Sequence, residues 1–87
     1  MNIDESLLIT LNKITKKVSQ ELDFISSHGN EYKIKTYKID GNYTLEYLRF
    51  NTLKQRWEYI NGCNLFSTKE FLIRGIESNV IYLYNNL

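Results

Sequence analysis

The side chains able to do covalent or acid–base chemistry are few and scattered. The chain holds one histidine, His28, and one cysteine, Cys63. A thiolate nucleophile needs a neighbouring imidazole or another cation to lower its pKa. His28 falls in the polar run at 26–30, and Cys63 in Gly62-Cys63-Asn64, which reads as a turn, so nothing in the order of residues brings the two together. A zinc site needs four ligands, which these two could complete only with carboxylates. The carboxylates have structural roles available: Asp4 and Glu5 at a helix start, Glu46 and Glu58 opposite basic partners on strands, Glu70 in a helix cap. Gly29, Gly41, Gly62 and Gly75 are isolated and lack the spacing of a phosphate loop. The inventory points to a protein that is not an enzyme and that takes no metal and no cofactor.

Composition narrows the class further. Eighty-seven residues suit a single domain, 1–87, and one cysteine cannot form an intrachain disulfide, so stability must come from a packed core or from association. With 43% hydrophobic and 14% aromatic residues, such a core can be built. A net charge of +1 gives no strong electrostatic capture of nucleic acid or anionic lipid, and it excludes an acidic DNA mimic. The start, Met1-Asn2-Ile3-Asp4-Glu5, is acidic and does not read as a secretory signal. No apolar run approaches the roughly 20 residues that span a bilayer, so a cytoplasmic protein with no membrane partner is expected. The abundance of Asn, Lys, Ile and Tyr, all with AT-rich codons, suits a phage or mobile-element product.

Three regions must position whatever functional residues exist. Ile3, Leu7, Leu11, Ile14, Val18, Leu22 and Ile25 recur at steps of four and three, which predicts one long N-terminal helix ended at 26–30, with Gly29 in a left-handed cap position. Asp40-Gly41 between residues 32–39 and 42–51 is a hairpin signal that sets Tyr32 opposite Arg49, Ile34 opposite Tyr47 and Lys35 opposite Glu46. A second loop at 52–55 sets Arg49 opposite Glu58, Phe50 opposite Trp57 and Leu48 opposite Tyr59. Residues 43–61 also fit a helical stripe, the rival reading. Ser67-Thr68-Lys69-Glu70 matches a capping box, with Phe66 and Phe71 as its hydrophobic staple. Leu72, Ile76, Val80 and Leu83 then continue a C-terminal helix, although Val80-Ile81-Tyr82-Leu83-Tyr84 also suits an edge strand. The expected fold is an α+β domain, α-β-β-β-α, with a three-stranded antiparallel meander packed by both helices.

The meander register sorts its side chains onto two faces. One carries Ile34, Leu45, Tyr47 and Ile60, the natural seat for helices. The other carries Tyr37, Leu48, Phe50, Trp57 and Tyr59, flanked by Lys33 and Lys35. Aromatic residues with basic neighbours are typical interface anchors, so with both helices on the first face these seven are the candidate partner-binding residues, whereas one helix on each face makes the aromatics core. The function expected is a small non-catalytic protein-binding module, a regulator or inhibitor of counter-defence type, docking on a larger protein or forming a homodimer. The alternative is nucleic-acid binding, with bases stacked on the aromatic face. The order helix–three strands–helix resembles the double-stranded RNA-binding domain, which implies a lysine cluster at the start of the second helix; here only Lys69 stands there.

Overall fold

The computed structural model describes residues 5–87, and of residues 61–64 the main chain alone. The elements run in the order α1 (Glu5–Asn12), β1 (Gln20–Ile25), β2 (Glu31–Ile39), β3 (Asn42–Asn51), β4 (Arg56–Phe66) and α2 (Lys69–Asn86). The strands form one antiparallel sheet in the order β1-β2-β3-β4. The α+β class stands, with four strands in place of three.

The long N-terminal helix is corrected. α1 stops at Asn12, its last turn tightened by Lys13 and Ile14 amides bonding to the carbonyls three residues back. Residues 20–25 form a strand because they alternate: Leu22 and Phe24 are buried, while Glu21, Asp23 and Ile25 are exposed. A helix through this segment would turn Phe24 away from Leu22 and leave it in water. Gln20 ties down the connector, its side-chain amide donating to the Thr15 and Lys17 carbonyls and accepting from the Thr15 amide. Thr36 completes the join, its hydroxyl donating to the Val18 carbonyl at 2.7 Å and accepting from the Gln20 amide at 3.1 Å. Ile3 and Asp4 lie outside the described residues.

The two downstream hairpins pair as their turns dictate. Asp40 and Gly41 take φ of 47° and 81°, the double left-handed geometry that matches strand twist. All six cross-strand pairs expected from the sequence occur, from Lys35 with Glu46 to Phe50 with Trp57, so residues 43–61 are two strands joined by the 52–55 turn and not a helix. Asn51 closes the 52–55 loop by accepting from the Leu53 and Lys54 amides. Beyond Tyr59 the β3–β4 register slips twice: Leu48 pairs with Tyr59, Tyr47 with Asn61, and Leu45 with Asn64. Each slip inserts an extra residue in β4, a bulge. Ile60, expected over the core, sits in the first bulge and is 42% exposed. Gly62-Cys63-Asn64 continues the strand in place of a turn, and the Cys63 side chain lies outside the described residues.

α2 is helical throughout, because Leu72, Ile76, Val80, Leu83 and Tyr84 bury one stripe and this outweighs the β preference of residues 80–84. Its cap is Thr68, not Ser67: the Thr68 hydroxyl accepts from the Phe71 amide at 3.2 Å. Phe66 pairs with Tyr43 as the last strand residue, which leaves Ser67 as a bend between strand and helix and shifts the cap by one. Phe71 is accordingly exposed, and Phe66 lies against Gly75 instead. At the far end, the β1–β2 turn closes the helix. Ser27 donates through its amide and hydroxyl to the Tyr84 carbonyl, and Asn30 and Tyr32 donate to the Leu87 main-chain oxygen. Gly29, with φ of 83°, supplies a left-handed position inside this turn and not at a helix end.

Both helices lie on one side of the sheet. Leu7, Leu22, Phe24, Tyr32, Ile34, Leu45 and Tyr47 join the α2 stripe in a single core. The molecule is only 17 Å through its thinnest direction, one helical layer on one sheet.

Candidate binding face

Alternation along each strand decides what the uncovered side of the sheet displays. In β2, Tyr32, Ile34 and Thr36 point to the core, so Lys33, Lys35 and Tyr37 point away from it. Leu48 and Phe50 of β3 share that side through their register with Lys33 and Trp57, and Tyr59 of β4 pairs with Leu48. The bulges begin after Tyr59, so they leave Trp57 where the turn places it. Lys33, Lys35, Tyr37, Leu48, Phe50, Trp57 and Tyr59 therefore occupy one continuous face opposite the helices.

Lys33 organises its centre. Its ammonium sits 2.9 Å from the Glu21 carboxylate, 4.0 Å from Asp23 and 4.5 Å from the centre of the Trp57 ring. The Glu21 hydrogen bond is the main reason the Lys33 pKa rises, helped by the Asp23, Glu21 and Glu31 charges. The same bond, with the Lys33 and Lys35 charges, lowers the Glu21 pKa. Phe50 meets Trp57 edge to face, with ring centres 5.4 Å apart. Tyr37 donates to Glu46 at 3.3 Å, and Glu46 also faces Lys35 across the strands. Glu58, on the opposite side of β4, has a lowered pKa, chiefly through the hydrogen bond from Asn51 and then the Lys54 and Arg56 charges.

Sequence reasoning missed Glu21 and Asp23, because it placed them on a helix. The polar–apolar alternation of residues 20–25 was the signal that would have found them. It also missed Leu53, 95% exposed at the tip of the β3–β4 loop, and the shallow cleft below it lined by Ile25, Phe50, Tyr59 and Ile60. Position along a tight loop gives no sign of such exposure.

This face can bury aromatic surface and pair charge. His28 is exposed, its Nε2 3.2 Å from the Asn85 carbonyl at the end of α2. Among the described residues, no three histidine, cysteine or acidic side chains gather as metal ligands, and no helix is long and apolar enough to cross a membrane. Tyr47 is buried beneath α2, which raises its pKa although Asn79 bonds it. No known protein family, curated protein or solved structure matches this chain.

Proposed function

We propose that this protein is a small non-catalytic binding module, a regulator or inhibitor that acts in the cytoplasm by docking its open sheet face on a larger protein. The observation that carries the reading is the one-sided packing: both helices cover the Tyr32–Ile34–Leu45 side, leaving Leu48, Phe50, Trp57 and Tyr59 on the other. An aromatic patch ringed by charge is the usual anatomy of an interface centre and rim. A phage or mobile-element inhibitor of counter-defence type is the fuller form of the proposal, supported by size and composition.

The charge of the face favours a protein partner over nucleic acid. Lys33 and Lys35 are opposed by Glu21, Asp23 and Glu46, and the Lys33 ammonium already occupies one face of Trp57 where a base would stack. The test is affinity capture from a nuclease-treated cell lysate with wild type, Trp57→Ala/Tyr59→Ala and a control, Glu77→Ala on exposed α2. The reading expects a protein retained by wild type and control and lost by the double variant, whose circular dichroism stays native. Capture that is indifferent to the double variant, or abolished by nuclease, overturns it.

A further inference from the structure

Among the described residues, β4 has a strand neighbour on one side only, and so does β1. The two edges differ in what they invite. β1 is six residues long and carries Glu21 and Asp23, which would face each other's carboxylates if two copies met there. β4 presents the regular run Arg56–Tyr59 before its first bulge, with Trp57 and Tyr59 toward the open face and Arg56 and Glu58 toward the other.

We propose that β4 pairs antiparallel with β4 of a second copy about a two-fold axis through Trp57, joining two sheets into one. In antiparallel pairing about such an axis, residues whose numbers sum to twice the central position stand opposite each other. Centred on Trp57, Arg56 faces Glu58 of the second copy, and Glu58 faces its Arg56, so one register creates two opposite-charge pairs. Both side chains reach solvent, Arg56 at 62% and Glu58 at 38% exposure, and the contact between them within the chain is a loose 3.8 Å. Asn51 bonds the other Glu58 oxygen, leaving the one nearer Arg56 for a second copy. Centring on Glu58 sets two carboxylates together, and centring on Arg56 sets two guanidinium groups together. Centring on Tyr59 runs Trp57 into the bulged part of the strand. The complementarity is thus specific to one register and to this chain as its own partner.

The regular run is short, so the dimer is weak and depends on concentration. Its consequence is geometric: two open faces become one surface with the two Trp57 rings at its middle. Self-pairing does not depend on the docking reading, and loss of either leaves the other standing.

Sedimentation velocity up to millimolar protein tests it, read together with the emission of Trp57, the only tryptophan. Wild type is expected to dimerise, and Arg56→Glu or Glu58→Arg alone to weaken association about tenfold, since each turns two attractive pairs into two repulsive ones. The double swap Arg56→Glu/Glu58→Arg restores the pairs and should restore the dimer, which separates charge matching from damage to the fold. A wild-type protein that stays monomeric throughout, a dimer unmoved by the single reversals, or a double swap that remains monomeric overturns the proposal.

Discussion

Lys33 is the residue on which the open face turns, because one ammonium serves Glu21, Asp23 and the Trp57 ring together. Lys33→Met keeps the aliphatic stem and removes the charge. The expected result is a folded protein whose Trp57 emission maximum moves, since the cation over the ring has gone. Unchanged emission would show that Lys33 does not shield the ring. Gly75 decides a different contact. A Cβ there would stand 2.6 Å from Phe66 Cζ and 2.8 Å from Cε1, too close for either atom to stay. Alanine gains about 1 kcal/mol of helix propensity over glycine, whereas overpacking costs about 1–3 kcal/mol. Gly75→Ala should therefore lower stability by about 1 kcal/mol in urea unfolding, and Phe66→Leu in the same chain should return part of it. A Gly75→Ala variant more stable than wild type would show that the Phe66 ring moves aside freely.

At the scale of elements, what the sequence made legible was whatever a turn pins locally. Asp40-Gly41 and the 52–55 loop fix β2, β3 and β4 in register through short-range chemistry, and the seven candidate residues share a face for that reason alone. β1 was hidden because Val18, Leu22 and Ile25 lie at helical spacing by coincidence, while the decisive alternation spans only residues 20–25. The strand makes a contrast that a helix would reverse. Phe24→Ala should cost about 3–5 kcal/mol, and Ile25→Ala, at 63% exposure, should stay within about 0.5 kcal/mol. Comparable losses at both positions in urea titrations would contradict the strand. The cap of α2 was misread by one residue for a long-range reason, since Phe66 is committed to Tyr43 across the sheet. Thr68→Ala should then cost about 1 kcal/mol and Ser67→Ala almost nothing, an order that reverses if Ser67 is the cap.

Taken as a whole, the molecule is one layer of helices on a sheet, and the charges on and beside the bare side govern how it answers pH. Glu21 and Glu58 both hold their protons less tightly when folded, through Lys33 in one case and through Asn51 with Lys54 and Arg56 in the other. A carboxylate whose pKa is lowered by folding stabilises the native state fully above the ordinary carboxylate range. That contribution drains away as the pH falls through the lowered folded value. Lys33 works in the opposite sense: its raised pKa stabilises the fold below the ordinary lysine range and is lost only at strongly alkaline pH. Stability should therefore be flat around neutrality and decline on the acid side. Glu21→Gln/Glu58→Gln removes both acid-side contributions, so the variant should lose less stability than wild type between neutral pH and pH about 3, whatever its stability at neutrality. Parallel acid profiles from urea unfolding would mean that these two carboxylates are no better held in the folded chain than in the unfolded one. The Glu21–Lys33 pair beside Trp57 would then be no part of what orders the open face.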